Sequence, residues 1–141
     1  MIDYSQYCAN SKDDRKLFNE VCGIYAFCYN SEIIYIGQSR HIGKRIYAHM
    51  SETKLERTIK LQERYENNGI IGCYKYAIKL YEFIKKNREN IMFCILCKCN
   101  EDELNDVEEY YIRKYKPRFN DAGVHSDFHP YNPKNKNICY T

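Results

Sequence analysis

No apolar run in this 141-residue chain approaches the ~20 residues that a membrane-spanning helix requires. The opening Met1-Ile2-Asp3-Tyr4-Ser5-Gln6 is polar, without the apolar core of a secretory leader. These two absences give the expectation of an intracellular protein, in the cytoplasm or, with a eukaryotic or viral origin, the nucleus, and no membrane partner. A surplus of one charge is lacking too. The net charge is only +3, which by itself demands no nucleic-acid partner, so the distribution of charge matters more than its sum. The length suits one domain and hardly two independent cores. Eight cysteines would suit a disulfide framework in a small exported chain. Without an export signal, and with clear apolar strand and helix patterns, reduced thiols are expected instead.

What is present concentrates between Gly23 and His49. Gly23-Ile24-Tyr25 opens a mostly apolar run to Tyr29, Asn30-Ser31-Glu32 suits a tight turn, and Ile33 to Gly37 resumes the run. This predicts a β-hairpin with Tyr25 and Tyr35 on adjacent strands. Gly37 is expected to end the second arm, where the chain turns away without a side chain in its path. Ile42, Ile46 and Met50 then recur at helical spacing, so a short helix is expected from about Ser39. Arg45 and His49 lie one turn apart on it and can converge on one target.

Charge is arranged around this stretch. Residues 23–50 carry Arg40, Lys44 and Arg45 against Glu32, and residues 111–141 carry six Lys and Arg against two Asp. Residues 91–110 carry six acids against Lys98 alone. The basic excess borders the hairpin region from two directions, as a phosphate-binding cleft needs; scattered surface charge is the plainer alternative.

Gly23-Ile24-Tyr25 and Tyr35-Ile36-Gly37, with Arg45 eight residues after the last glycine and His49 one turn further, resemble the GIY-YIG nuclease domain. The family's remaining signature is a helix bearing a glutamate, then Lys-Pro and an asparagine, and it is met by Glu108, Lys116-Pro117 and Asn120. Two departures stand out: Gln38 where many relatives have Lys, and His41-Ile42-Gly43 in place of the usual Asn-Leu.

The rest of the chain reads as support. Ser11 is expected to cap a helix through Leu17, Phe18 and Val21, either a brace for the sheet or an arm contacting DNA, with the brace favoured because these apolar residues need burial. Ser51 is expected to cap a second helix through Leu55, Ile59, Gln62 and Tyr65, ended by Asn67-Asn68-Gly69. Tyr74–Lys86 gives a third, with Ala77, Leu80, Tyr81 and Ile84 as its apolar stripe and Lys75 and Lys79 as candidate backbone contacts. Ile91–Cys97 is a third strand, buried on both faces. Asn100 and Glu103 form a capping box before a helix with Leu104, Val107, Tyr111 and Tyr115 inward. Glu108 lies at the edge of that stripe, where a carboxylate is costly to bury unless a cation or metal meets it.

One competing constellation exists. Cys94 with Cys97, or Cys97 with Cys99, and His125 with His129 supply the residue types of a zinc site. Strand alternation would turn Cys94 and Cys97 to opposite faces, so buried thiols and surface histidines are favoured.

The expected architecture is a single α/β (α+β) domain, a small, mainly antiparallel three-stranded sheet flanked by helices. Residues 1–22 form an N-terminal arm or helix, 23–120 a catalytic core with a helical insertion at about 51–90, and 121–141 an irregular tail. The resemblance implies a metal-dependent DNA endonuclease of the stand-alone phage, restriction or mobile-element kind. It implies Glu108 on Mg²⁺ (or Mn²⁺), Arg45 clamping phosphate, and Tyr25 as general base, helped by positive charge from the metal or Arg45 or by a hydrogen bond to His49. Tyr35 would position water or phosphate, and Asn120 would hold Glu108 or its hydration shell. A free phenol has a pKa of about 10, so Tyr25 needs positive charge or a hydrogen bond nearby to act as a base. Gln38, Ser39, Arg40, Lys44, Lys75, Lys79 and Arg118 are the expected DNA contacts. A homodimer is expected if both strands are cut. The alternatives are a non-catalytic nucleic-acid-binding module of the same fold and a zinc-stabilised interaction protein.

Overall fold

The structure, a computed structural model, describes residues 3–120. The tail and its His125 and His129 lie outside the described residues. Four antiparallel strands form one sheet in the order β1-β4-β2-β3: β1 (Tyr7–Cys8), β2 (Gly23–Tyr29), β3 (Glu32–Ser39) and β4 (Met92–Lys98). This corrects the expected three strands. The additional strand pairs only Tyr7 with Phe93 and Cys8 with Met92, and two residues are too few to show alternation in sequence.

The β2–β3 hairpin forms as expected. Asn30 and Ser31 both take positive φ, 49° and 62°, the backbone of a two-residue turn whose twist matches the strands it joins. Gly37 does not end the second arm, which runs on through Gln38 to Ser39. Two irregularities re-aim side chains. Between Phe27/Cys28 the register with β3 shifts, leaving Ile34 as an extra residue, so Tyr35 falls opposite Phe27 while Ile33 stays opposite Cys28. Between Ile24/Tyr25 the register with β4 shifts at Leu96, so Cys94 and Cys97 both reach the same side of the sheet. That corrects the expectation that strand alternation separates them.

Among the described residues, five α-helices flank the sheet: α1 (Lys12–Lys16), α2 (Ile42–His49), α3 (Lys54–Glu66), α4 (Lys75–Asn87) and α5 (Leu104–Tyr115). One core unites Tyr25, Phe27, Tyr35 and Phe93 from the sheet with Ile42 and Ile46 of α2 and Leu80, Tyr81 and Ile84 of α4. The other packs Ile24, Ala26, Ile36 and Leu96 beneath Leu104 and Ile112 of α5. Each fully buried large apolar side chain contributes about 1.5–3 kcal/mol, so both layers hold the sheet firmly.

The helix ends follow local chemistry. Ser11 caps α1 by accepting from the Asp14 backbone N–H at 3.2 Å, but the helix stops at Lys16. Leu17 is therefore 65% exposed, whereas Phe18 is buried as expected. Helix α2 begins at Ile42 rather than Ser39, because Ser39 still belongs to β3. Ser51 does not cap α3; its hydroxyl lies 3.2 Å from Thr53 and accepts from Arg57. The capping box of Asn100 and Glu103 is present and opens a short 3-10 turn that leads into α5.

Candidate active site

Tyr25 and Tyr35 point to the same face because of the bulge at Ile34, with ring centres 6.5 Å apart. His49, at the end of α2, stands between them and α4. Its Nε2 is 2.8 Å from the Tyr25 hydroxyl and its Nδ1 2.7 Å from the Tyr81 hydroxyl. All three side chains are buried. Burial, with the positive charges of Arg45 and Lys54, holds the His49 pKa well below its ordinary 6.5, so the imidazole is neutral at pH 7.

A neutral imidazole has one N–H, so His49 donates one of these two bonds and accepts the other. Burial pushes the Tyr81 pKa up to about 12, against the charge of Arg45, so its phenol keeps its hydrogen at pH 7. Tyr25, His49 and Tyr81 thus form one buried hydrogen-bonded chain, with Arg45 acting on its Tyr81 end.

Glu108 approaches from the opposite face. It is 1% exposed on α5, and burial raises its pKa to about 8, opposed by a hydrogen bond from Gln38 and by the charge of Arg45. Gln38 Nε2 donates to Glu108 Oε1 at 3.2 Å and to Asn105 Oδ1 at 2.8 Å. Glu108 Oε2 is buried without a hydrogen-bond partner among the described residues. A desolvated carboxylate oxygen with no donor aimed at it suits a hard divalent cation, which would favour the ionised form. The two halves meet at Arg45, whose charge acts on both Glu108 and Tyr81.

The family model described as the GIY-YIG catalytic domain matches residues 21–120, most of the chain. This chain belongs to the GIY-YIG family. It is an endonuclease domain. Among solved structures it is similar to the GIY-YIG N-terminal endonuclease domain of UvrC from Thermotoga maritima bound to its catalytic divalent cation, magnesium. The two share 18% identity over 77% of this chain and 93% of that one, at a TM-score of 0.45. Two tyrosine-to-phenylalanine point mutants of that domain, each bound to the catalytic divalent cation, match at 18% and 19% identity over 77% of this chain and 92% of theirs, both at a TM-score of 0.47. No curated protein matches the chain.

Within this GIY-YIG domain, Tyr25, Tyr35 and His49 come together on one face of the sheet, and Arg45 acts both on Tyr81 there and on Glu108. Asn120 does not take the place expected of it. Its amide accepts from the Ile36 N–H at 2.8 Å and donates to the Ile36 carbonyl at 2.9 Å, while Gln38 holds Glu108. Phe119 N–H also bonds the Ile34 carbonyl, so the chain after Pro117 runs along the outer edge of β3. Replacing Asn120 with Ala strips both partners from a fully buried backbone. An expected loss of about 2–3 kcal/mol is measured by denaturant unfolding.

The candidate DNA contacts divide. Gln38 is buried against Glu108 and faces no solvent, and Ser39 accepts from the His41 N–H. Arg40, Lys44 and Arg118 are exposed but lie beside acids, Glu101 at 3.2 Å, Glu20 at 3.8 Å and Glu32 at 3.8 Å. Lys75 and Lys79 are exposed and flank the Tyr76 ring. Among the described residues, no group of three or more His, Cys, Asp and Glu is arranged to hold a metal, and Cys94 pairs with Cys28 at 3.7 Å between sulfurs.

Sequence reading missed Tyr81 and Lys54 as neighbours of the site. Tyr81 sat in an ordinary apolar stripe, and nothing in its spacing marks a hydroxyl that reaches His49. Among the described residues, no helix is long and apolar enough to cross a membrane.

Proposed function

We infer that this domain hydrolyses phosphodiester bonds of DNA with a divalent cation, Mg²⁺ or Mn²⁺, held by Glu108. The observation that carries the reading is the buried Glu108 carboxylate with one oxygen left without a donor, next to the charge of Arg45. A bound cation would supply Lewis acidity toward a phosphate oxygen and the leaving group. Arg45 clamps the remaining phosphate oxygens, a task suited to a planar, permanently charged guanidinium.

Tyr25 serves as the base. The positive surroundings that keep His49 neutral also favour a phenolate, and the His49 Nε2–H steadies that charge once it forms. The phenolate takes a proton from the attacking water, which Tyr35 orients. Asn120 acts through the backbone of β3, as a positioning residue. Residues 23–120 form the catalytic core, into which α3 and α4 are inserted, and the stand-alone phage, restriction or mobile-element setting remains part of this proposal. One active site cuts one strand; the homodimer considered for double-strand cutting has no support.

Supercoiled plasmid incubated with the protein and Mg²⁺ is expected to give nicked product that disappears with EDTA and with Glu108→Ala. Plasmid that is bound yet uncut, together with uncut branched and single-stranded DNA, would overturn the hydrolytic reading in favour of a binding module. Tyr81→Phe tests the proton chain. With its hydrogen-bonding hydroxyl gone, the Tyr25 phenolate is less favoured, and the limb of the pH–rate profile where activity rises with pH should move upward. A fall of about 10-fold in kcat at pH 7 is expected, with KM little changed.

A further inference from the structure

Helices α3 and α4 bring more than Tyr81 toward the site. Lys54, the first residue of α3, places its Nζ 5.7 Å from the centre of the Tyr81 ring. It is half-buried, and among the described residues its ammonium has neither an ion pair nor a hydrogen bond. Its positive charge reaches His49, and its own ionisation is opposed by burial and by Arg45 and Arg57, which press its pKa to about 8. Arg57, one turn along α3, is exposed and held by the hydroxyls of Thr53 and Ser51 at 3.2 Å each. Its charge also acts on the Tyr81 phenol.

The charges of Arg45 and Arg57 thus act on the same phenol whose ring lies beside the Lys54 ammonium. Holding a half-buried ammonium beside two guanidinium groups is unfavourable by itself, since each like charge and each increment of burial disfavours its charged form. The Tyr81 ring face attracts the Lys54 ammonium but carries no net charge to offset it, and among the described residues no carboxylate pairs with it. What relieves such an arrangement is an anion from outside.

We propose that Lys54, with Arg45 and Arg57, forms a seat for a backbone phosphate of the DNA strand, so that α3 contributes directly to substrate binding. This rests on the nuclease reading of the same site and names the phosphodiester contact that the insertion supplies. Lys54 is a point charge on a flexible stem, suited to a phosphate whose position differs between substrates, whereas Arg45 holds a fixed geometry.

The test is binding without catalysis. A fluorescently labelled duplex is titrated in EDTA at several salt concentrations with the wild-type protein, Lys54→Met and Lys54→Arg, and each protein is melted beforehand. Lys54→Met is expected to weaken binding about 10-fold and to reduce the slope of log affinity against log salt by about 1. Lys54→Arg should stay within about twofold of wild type. Lys54→Met should also melt at or above the wild-type temperature, because it removes a like charge from a cluster. Wild-type affinity and slope in Lys54→Met would overturn the proposal, and so would melting several degrees lower, which marks Lys54 as structural. If the wild type nicks plasmid and only Lys54→Met proves silent, this inference alone fails. If the wild type neither binds nor nicks DNA, both fail.

Discussion

Glu108→Gln is expected to abolish cation-dependent strand cleavage while making the cation-free protein harder to unfold at pH 8. The loss of cleavage should reach at least about 10³-fold, since an amide is a far poorer ligand for a hard cation and contributes no negative charge. The gain in stability has a separate origin. In the folded protein the Glu108 carboxyl has a pKa raised to about 8, mainly by burial, against about 4.3 in the unfolded chain. Between those values the folded state binds a proton that the unfolded state does not. Stability therefore falls as pH rises through this window, and the contribution is level above pH 8.

The full span corresponds to a cost on the order of 5 kcal/mol. Gln avoids it and its carbonyl still accepts from Gln38, but its buried NH₂ lacks a partner, which returns roughly half of the gain. A net increase of about 2 kcal/mol at pH 8 in EDTA, shrinking toward pH 5 where wild-type Glu108 carries its own proton, is the expected result of denaturant unfolding. Mg²⁺ should flatten the pH dependence of the wild type and leave that of the variant unchanged. A variant less stable than wild type at pH 8 without cation would mean that Glu108 is not held at a cost, and the cation site would lose its main support.

The second large effect comes from a residue with no polar side chain. Gly43→Ala should stabilise an isolated helix by up to about 1 kcal/mol, yet it is expected to destabilise this protein by about 3 kcal/mol. A Cβ at Gly43 would stand 2.1 Å from the Arg15 carbonyl oxygen and 2.8 Å from the Asn19 nitrogen. Both are backbone atoms and cannot swing aside. The Gly43 N–H also bonds the Phe18 carbonyl at 2.9 Å, so α2 is docked on the turn after α1 through its own main chain. Adding the methyl group pushes α2 outward and carries Arg45 and His49 with it. A displacement near 1 Å at such groups costs about 10²-fold in rate. The melting temperature should drop by roughly 10 °C, with cleavage reduced more than the remaining folded fraction explains. A rise in melting temperature would show that helix propensity outweighs the close approach of α1 and α2.

These cases show what the sequence could and could not convey. The tripeptides, Arg45 and Glu108 were legible because periodicity and spacing place them: two strands, one helical turn, and the edge of an apolar stripe. Gly43 was legible only as a residue that weakens its helix, because its purpose lies in contact with α1, which local pattern does not encode. The face of Tyr35 depends on one extra residue in β3, and a strand's alternation looks the same until its partner's register is known. Gln38 beside Tyr-Ile-Gly read as a DNA contact, yet strand parity turns it beneath α5 to Glu108. Tyr81 lies 32 positions from His49 in sequence, and only the packing of α4 on the sheet brings their hydrogen-bonding atoms together. Asn120 stands at the family's spacing in sequence, but its partner is the backbone of Ile36 rather than Glu108, and a backbone partner carries no side-chain signal.

The outer edge of β3 has a colloidal consequence. A free strand edge offers alternating donors and acceptors on which another copy of the same strand can grow. Here the Phe119 N–H takes the Ile34 carbonyl, and the Asn120 amide takes both polar groups of Ile36, as a neighbouring strand would. A chain with Phe119 and Asn120 removed would keep Tyr25, Tyr35, Arg45, His49 and Glu108 but leave the Ile34 and Ile36 backbone groups without these partners. Phe119 and Asn120 thus cover part of this edge against strand addition, by backbone mimicry rather than by charge.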